Sequence, residues 1–547
     1  MNRSARLGRA ALLAATVLAV HAAGLPNAFL HDDHEVIEAQ PAPAGPRDLA
    51  RVFAEPHFRG LPYYRPLTRV TLLAEKALHG DRPWAFRAVN AALAALAALL
   101  SFALLRAPGL AVPPGPALAA AIFFALHPVA SSCVLPIASG RETLLPAAVM
   151  LAALWAWLCG RRGLAWLAAA AALLAKEQAV MVPAMFVWAD VCGVAPGRPA
   201  RASAWLRRHA PAALLLGAYF ALRRVVLGPG DLELAFLDAP LVPLASYAYA
   251  LQVWLAPFAH VVYEPELGVW LSPVRLAAAL AATLALVAVA RRRGTTTGVL
   301  AFWAGWFVLL QLPTANWLRQ EATFAERYAF LAGLALPALA ATAWGAGPRE
   351  ARSRRVGTVA AAMAIVAVAA LSVLRAGDHR DDEVFARRWL ETNPTSPDAH
   401  HVLGLALARR GEHERAVAEF EAALASSRDS ADVRVNLAAS LVALGRWNAA
   451  ERELRAALDI DPGHPEAHAN LGLALAGAGR TAEAERHYRA ALAANPDLAE
   501  AHNNLGSLLA REGRDAEAEA EFGEALRLAP GLGAARENLA RLRRSEP

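Results

Sequence analysis

The chain has 547 residues, of which 56% are hydrophobic and 19% are charged, and its formal net charge is +6. This composition is too apolar for an ordinary soluble protein, and the length exceeds that of a typical single domain. Because the arginines cluster in short loops between apolar segments, the positive charge indicates orientation in a membrane rather than nucleic-acid binding. The three cysteines, Cys133, Cys159 and Cys192, have spacings that suit neither a disulfide framework nor a zinc site.

Residues 1–376 are predicted to form a helical membrane domain, because nearly uncharged windows of about 20 residues recur along them. The first span is residues 7–25, which we interpret as an uncleaved helix rather than a signal peptide. A polar loop follows at residues 26–83. Further spans are predicted near residues 84–105, 116–135, 142–160, 164–176, 177–193, 209–227, 271–290, 298–315, 326–345 and 356–375. The spans at 164–176 and 177–193 are short, and one broken hairpin is the alternative for them.

The orientation of this domain follows from its arginines, which the positive-inside rule places in the cytoplasm. Residues 240–260 are long enough to cross, but a crossing there would move the arginines at 291–293 to the outer side. We therefore predict an interfacial or re-entrant segment at 240–260 and about eleven spans in total. The Ala- and Arg-rich composition indicates a GC-rich bacterium. The predicted location is thus the inner membrane, with the loop 26–83 and the C-terminal domain on the periplasmic side.

The C-terminal region repeats with a period of about 34 residues. Small residues recur at one position and large apolar residues at another, which is the pattern of tetratricopeptide repeats. The small set is Gly404, Ala438, Gly472 and Gly506, and the large set is Phe420, Leu454, Tyr488 and Phe522. We predict a leading partial unit at 379–396, four repeats at 397–530, and a capping helix and tail at 531–547. The whole chain is thus expected to be all-α.

Charged side chains also occur at the predicted outer ends of the spans, where they are costly and usually functional. Arg141 with Glu142, and Lys176 with Glu177, are also open to a simpler interpretation as local pairs that stabilise helix ends. His127 has the alternative of an ordinary core histidine, and Asp32 and Asp33 that of a solvated loop. The full set is Asp32, Asp33, Arg65, His127, Arg141, Glu142, Lys176, Glu177, Arg223, Glu326 and Arg327.

The order of motifs along the chain resembles that of a known family. The motifs are FLHDDHEVI, YYRPLTRVTLLAEKALHG, FRAVNAAL, ALHPV, SGRETLLPA, LLAKEQAV and AERYAFL, followed by the repeats. This series is similar to that of the transmembrane and tetratricopeptide-repeat O-mannosyltransferases, within the GT-C class of polytopic glycosyltransferases. The resemblance covers nearly the whole chain and is weakest over residues 225–320.

The resemblance implies an inverting glycosyltransferase with a lipid-linked donor. In the family the acidic pair of the first outer loop is catalytic, which maps onto Asp32 and Asp33, one of them a general base toward an acceptor hydroxyl. A polyprenyl-phosphate leaving group needs cations, and Arg65, Arg141, Arg223, Arg327 and Lys176 are candidates, with His127 as a phosphate or sugar ligand. Two adjacent carboxylates can also hold a divalent cation; the resemblance favours no metal and no cofactor.

The repeats are expected to bind a polypeptide acceptor or a partner protein. Asn436, Asn470 and Asn504 recur at the same position of successive repeats on the predicted inner face, where side-chain amides can hydrogen-bond an extended backbone. Asparagine is also common at this repeat position, so a purely structural role is the alternative.

Three functions remain open on the sequence. The first is transfer of a sugar, with mannose implied by the resemblance, from a polyprenyl-linked donor to Ser or Thr hydroxyls of exported proteins. The second keeps the transferase but gives it a lipid or envelope polysaccharide as acceptor. The third is a non-enzymatic membrane scaffold organised by the repeats.

Overall fold

The computed structural model describes residues 3–30, 33–38, 40, 42–43, 45–55, 63–197, 199–227, 242–256, 273–314, 326–346, 351–426 and 430–545. Every regular element in these ranges is helical, which confirms the all-α prediction. The chain forms two compact units, Met1–Arg388 and Trp389–Pro547.

The first unit begins with helices whose starts are set by proline. Proline suits the first turn of a helix because its missing N–H has no partner there in any case. Helices α3 to α6 each have a proline in that turn. The first nine helices are α1 Arg3–His21, α2 Pro46–Arg51, α3 Pro66–His79, α4 Pro83–Leu105, α5 Pro114–Leu126, α6 Pro128–Val134, α7 Ile137–Leu158, α8 Arg162–Ala175 and α9 Val182–Val191.

The unit continues with helices α10 Ala202–His209, α11 Pro211–Leu227, α12 Val242–Leu255, α13 Pro273–Arg292, α14 Thr297–Gln311, α15 Phe330–Gly333, α16 Ala335–Ala346 and α17 Ala351–Asp378. Helix α18, Asp382–Thr392, contains the division between the units. The core lies where α4, α5 and α7 pack. Buried alanines such as Ala94, Ala97 and Ala98 on α4 let these backbones approach closely.

The span count differs from the prediction. In the described residues, five helices are long and apolar enough to cross a membrane, or six if the bent pair Pro114–Leu126 and Pro128–Val134 counts as one span. The predicted spans at 164–176 and 177–193 are helices of 14 and 10 residues, separated by a 3₁₀ turn at Glu177–Met181. Fourteen residues rise only about 21 Å, less than the apolar thickness of about 30 Å. Eleven separate full-length spans are therefore not supported.

The second unit is built from helical pairs. Each pair turns at a glycine with positive φ, a backbone conformation that side chains with a Cβ rarely adopt; these are Gly411, Gly445, Gly479 and Gly513. The pairs are α19 Pro397–Arg409 with α20 His413–Ser426, α21 Ala431–Ala443 with α22 Trp447–Ile460, α23 Pro465–Gly477 with α24 Thr481–Ala494, and α25 Ala499–Arg511 with α26 Asp515–Leu528. Helix α27, Gly533–Ser545, follows the last pair.

The repeat register predicted from the sequence is visible in the packing of these pairs. A Cβ built on Gly472 would lie 2.7 Å from Cδ1 of Tyr488, and one built on Gly404 would lie 2.6 Å from Cε1 of Phe420. The missing side chain thus makes room for the large apolar ring of the second helix. Successive repeats are also joined by ion pairs at equivalent positions, Arg480 with Glu451 and Arg514 with Glu485, each at 2.7 Å.

Candidate functional site

Asp33 fixes the loop after α1 against the start of α7. Its Oδ1 accepts the Ala138 N–H at 2.7 Å, and its Oδ2 accepts those of Ile137 at 3.2 Å and Leu30 at 3.1 Å. Unpaired N–H groups at a helix start favour an anion. Burial raises the pKa of Asp33 to about 6, although these N–H donors and the charge of Arg87 oppose the shift. Asp32 lies outside the described residues.

Arg87 of α4 holds the backbone on the other side of this loop. It is fully buried, and its guanidinium donates to the carbonyls of Asn27, Ala28 and Leu135, the last at 2.8 Å. One guanidinium thus binds carbonyls of the loop before Asp33 and of the segment just before α7. This arrangement leaves the loop little freedom on its N-terminal side.

The same loop is fastened to the end of α17 and the start of α18. The Asn27 side chain donates to the Ala376 carbonyl at 2.8 Å, and the Ala28 N–H donates to the Arg380 carbonyl at 2.9 Å. His34 Nε2 lies 3.0 Å from the Asp382 carboxylate, and its Nδ1 lies 2.5 Å from Glu38. We call these contacts the loop anchor.

Lys76 of α3 supports the C-terminal side of the loop. Its Nζ donates to the carbonyls of Ile37 at 2.6 Å and Glu38 at 2.9 Å, and it pairs with Asp81 at 2.8 Å. These carbonyls belong to the π-helical turn His34–Glu38. The acidic loop is therefore held by charged side chains on both sides.

Arg65 connects two carboxylates from different parts of the chain. Its Nε and Nη2 form a bidentate pair with Glu177 at 2.9 and 2.5 Å, and its Nη1 donates to Glu142 at 2.5 Å. The guanidinium carbon also lies 4.3 Å from the centre of the Tyr63 ring. Glu142 and Glu177 are thus brought together by Arg65, which is distant from both in the sequence.

Arg141 likewise bonds to residues distant in the sequence. It is 1% exposed and forms a bidentate pair with Glu75 at 2.5 and 3.0 Å, while its Nε donates to Asn90 at 2.8 Å. The interpretation of Arg141 and Glu142 as a local pair is therefore wrong. Neighbouring residues in a helix point in different directions, so each selects a different partner.

Lys176 and Arg327 lie close to the cluster that Arg65 forms with Glu142 and Glu177. Lys176 is buried and within electrostatic range of Arg65, Glu142, Glu177 and Arg327. Thr68 of α3 donates to the Ala175 carbonyl at 2.9 Å, which holds the chain just before Lys176. Arg327 borders a partly enclosed pocket whose other lining residues are Thr143, Ala147, Met150, Gln178, Leu310 and Leu331. Thr143 and Gln178 directly follow Glu142 and Glu177, so pocket and cluster adjoin.

The remaining predicted residues are His127, Arg223 and Glu326, of which Arg223 shares the neighbour Tyr219 with Arg65 and Glu177. His127 is fully buried at the bend between α5 and α6, where its Nδ1 accepts the Val129 N–H at 3.3 Å and its ring stacks on Trp254 at 4.1 Å. This position favours the core-histidine alternative. Arg223 is half-buried near the end of α11, whereas Arg224 is exposed. The side chain of Glu326 lies outside the described residues.

Sequence reasoning missed Glu75, Lys76, Arg87 and Asn90. All four are buried, and all four stand in the motifs YYRPLTRVTLLAEKALHG and FRAVNAAL. A signal was present, since a charged residue in an otherwise apolar helix needs a partner. Their partners lie on other helices, so the one-dimensional pattern does not identify them.

The three asparagines of the repeats occupy equivalent places. Asn436, Asn470 and Asn504 are half-buried on the first helices of the second, third and fourth repeats. Asn436 lies 2.9 Å from His401 of the preceding repeat. A row of partly exposed amides therefore runs along one set of helices.

Comparison with known proteins identifies the repeats and assigns no family to the residues before 367. The tetratricopeptide repeat family matches residues 407–474 in one form and residues 367–431 and 470–533 in another. The predicted repeats are confirmed. No curated protein matches the chain.

Several solved structures are similar to part of the chain. MamA 41-end from Desulfovibrio magneticus RS-1 is 22% identical over 27% of this chain and 85% of its own, with a TM-score of 0.25. TTC0263, a thermophilic TPR protein in Thermus thermophilus, is 24% identical over 34% of this chain and 95% of its own, with a TM-score of 0.28. YrrB, described as a TPR protein with an unusual peptide-binding site, is 24% identical over 28% of this chain and 80% of its own, with a TM-score of 0.25.

The chemistry available at this site is that of fixed acids and bases with adjoining cations. The carboxylate of Asp33 is committed to backbone N–H groups, and the guanidinium groups of Arg65 and Arg141 are committed to carboxylates. In the described ranges, no group of three or more His, Cys, Asp or Glu side chains is placed to hold a metal ion. The described residues thus fix the loop at the start of α7 and place two further cations, Lys176 and Arg327, near the carboxylates of Glu142 and Glu177.

Proposed function

We propose that this protein is a GT-C-type membrane glycosyltransferase that moves a sugar from a polyprenyl-phosphate donor to hydroxyl groups of exported polypeptides. The observation that carries the proposal is the acidic loop whose Asp33 is bound to the start of α7 and held by Arg87 and Lys76. A surface loop of a scaffold has no need of three buried charged groups to fix it. The ordered resemblance to O-mannosyltransferases makes mannose the proposed sugar and the periplasmic side of the inner membrane the proposed location.

In this proposal the two aspartates have different roles. Asp33 is a positioning residue, because its oxygens already accept three N–H bonds. Asp32, the neighbouring residue, is the general base. It takes the proton of the acceptor hydroxyl while the acceptor oxygen bonds to the anomeric carbon of the sugar. The bond from that carbon to the phosphate oxygen breaks, and the polyprenyl phosphate leaves with the electron pair.

The leaving phosphate gains negative charge, which cations near the pocket can stabilise. Arg327 and Lys176 are the proposed donors, since Arg327 borders the pocket and Lys176 lies within electrostatic range of Arg327. Arg65 and Arg141 serve mainly to hold α3, α7 and the residues after α8 in register. The proposed donor-binding residues are thus fewer than those that the resemblance implies.

The repeats are proposed to bind the acceptor. Arrays of this type present a groove for extended peptides or helices, and the family matches across the C-terminal region support such binding. A lipid or polysaccharide acceptor, or a scaffold without activity, predicts a different result in the test below.

The test is sugar transfer by the purified chain in nanodiscs. Synthetic polyprenyl-phosphate mannose and an unfolded Ser/Thr-rich polypeptide are supplied, and mass spectrometry follows the polypeptide. The expected result is a mass increase of one hexose per modified residue, which is lost in Asp32→Asn. Release of free sugar without polypeptide modification argues for another acceptor. If the donor is not consumed at all by a folded sample, the transferase proposal fails.

A further inference from the structure

The third repeat carries a pair of histidines that the proposed reaction does not use. His468 of α23 and His487 of α24 face each other with 3.0 Å between their Nδ1 atoms, and their rings lie 27° from parallel. Both side chains are half-buried. The two nitrogens are thus within hydrogen-bond distance of each other, on side chains that are partly exposed.

This pair breaks a pattern that the other repeats keep. The position equivalent to His468 in the preceding repeat is Arg434, which pairs with Glu453 at 2.6 Å. In the first repeat His400 pairs with Glu419 at 2.7 Å, and in the fourth His502 pairs with Glu521 at 2.6 Å. The third repeat is the one in which the acid of the second helix is replaced by histidine.

A hydrogen bond to the backbone determines which ring nitrogen of His468 keeps its lone pair. Its Nε2 lies 3.1 Å from the Pro462 carbonyl, which accepts only from a protonated Nε2. In the neutral ring Nδ1 therefore carries a lone pair and faces His487. A carbonyl that fixes the far ring nitrogen is the usual outer contact of a metal-binding histidine. His502 makes the same contact with Pro496, at 3.1 Å, so only the residue across from it differs.

We propose that His468 and His487 form a two-histidine chelate for a divalent transition metal, with Cu²⁺ as the preferred ion. When both nitrogens bind one metal ion at about 2.0–2.1 Å, their 3.0 Å separation gives an N–metal–N angle of roughly 90°. That angle suits neighbouring positions of a square-planar or tetragonal ion better than a tetrahedral one. Imidazole ligands and the general order of divalent affinities both favour copper. Water fills the other positions.

The charges around the pair are mixed. Glu483 favours a bound cation, whereas Arg455 and Arg486 oppose it. The side chains of both arginines are more than half exposed, so water and salt weaken their effect. The pair is independent of the proposed transferase site, because it lies wholly within the repeat unit.

The test is copper binding by the full chain, purified in detergent and freed of its affinity tag. CuCl₂ is added below one equivalent, and electron paramagnetic resonance reports the nitrogen ligands while chelator competition gives the affinity. His487→Glu restores the His–Glu pair of the neighbouring repeats, so it should fold and bind Cu²⁺ at least about tenfold more weakly at this site. The reciprocal variant Glu521→His builds the same pair against His502 and should add one copper equivalent.

The proposal is overturned if the two-nitrogen signal and the affinity are the same in wild type and His487→Glu. It is also overturned if Glu521→His folds, as judged by circular dichroism, without gaining an equivalent. If His487→Glu does not fold, His468→Asn with Glu521→His decides the question. None of these outcomes depends on sugar transfer.

Discussion

Arg65 and Glu142 are 77 positions apart in the sequence and form a buried ion pair, with 2.5 Å between Nη1 and Oε2. Glu177 binds the other side of the same guanidinium. Its side chain is 34% exposed, whereas that of Glu142 is 9% exposed. Removing one partner of a buried pair leaves the other charge without compensation, and the cost grows with burial. The two acids therefore contribute unequally to stability.

The first prediction follows from this difference. Glu142→Gln is expected to lower the free energy of unfolding by about 3 kcal/mol, and Glu177→Gln by about 1 kcal/mol. Thermal unfolding in nanodiscs measures both. Glu55→Gln is the matched control, since Glu55 forms a solvent-exposed pair with Arg69 at 2.9 Å and should cost at most about 0.5 kcal/mol. Equal losses at Glu142 and Glu177 contradict the ranking.

The second prediction separates the two aspartates. Asp32→Asn should lower the rate of sugar transfer by a factor of about 10² or more, because the base is removed. Asp33→Asn should lower it less and should also speed hydrogen exchange at the amides of Leu30, Ile137 and Ala138. Asp48→Asn, on α2 of the same loop, should change neither. If exchange at those amides is unaffected in Asp33→Asn, the positioning role is wrong.

The third prediction concerns pH. The pKa of Asp33 is raised to about 6 from its ordinary 3.8, chiefly by burial. As the pH falls through about 6, the side chain of Asp33 takes up a proton. Sugar transfer should decline with that midpoint, because the ionised carboxylate that accepts the three backbone N–H groups is lost. The residual activity of Asp33→Asn should lack this midpoint. A wild-type profile with its midpoint near pH 4 argues against the assignment.

Stability should change in the opposite direction. A carboxyl group whose folded pKa is raised binds its proton more tightly in the folded state. Ionisation of Asp33 therefore costs about 3 kcal/mol, a cost that is fully present above pH 6 and absent below pH 4. Between pH 7 and 5 this group makes the protein more stable as its activity declines, so unfolding through Asp33 cannot explain the loss.

The fourth prediction concerns repeat packing. In Gly472→Ala the new methyl would lie 2.7 Å from the ring of Tyr488, so the variant should lose about 1–3 kcal/mol. The second repeat has Ala438 across from Leu454 at these positions, so Tyr488→Leu should restore part of the loss. Gly523→Ala, where a Cβ meets nothing within 4 Å, should be neutral or stabilising. Chemical denaturation followed by circular dichroism measures all three, and simple additivity of the first two substitutions contradicts the packing account.

The fifth prediction concerns the amide row. Replacing Asn436, Asn470 and Asn504 together by alanine should weaken binding of an unfolded polypeptide roughly tenfold or more, since each hydrogen bond contributes about 0.5–1.5 kcal/mol. Fluorescence anisotropy of a labelled polypeptide gives the affinity. Asn448→Ala, on the exposed side of a second helix, is the control. Unchanged affinity in the triple variant leaves these residues with a structural role alone.

The sequence predicted the repeats well and the contacts of the candidate site only in part, for a physical reason. Repeat register is local, and its regular period places Gly472 and Tyr488 without knowledge of other elements. Ion-pair partners are not local. Arg141 stands beside Glu142 but pairs with Glu75, because adjacent residues of a helix face different neighbours. Hydropathy indicated two short spans or one broken hairpin over residues 164–193, but it did not locate the 3₁₀ turn that divides α8 from α9.

The loop anchor has a consequence for the order in which the protein is made. Asn27 and His34 bind partners 349 and 348 residues further along the chain. Synthesis proceeds from the N-terminus at roughly 5–20 residues per second, so the acidic loop waits tens of seconds for Ala376 and Asp382 to emerge. Until then the loop lacks its closing contacts. Completion of the first unit and of the proposed catalytic loop is thus one event, timed by the last helices before the repeats.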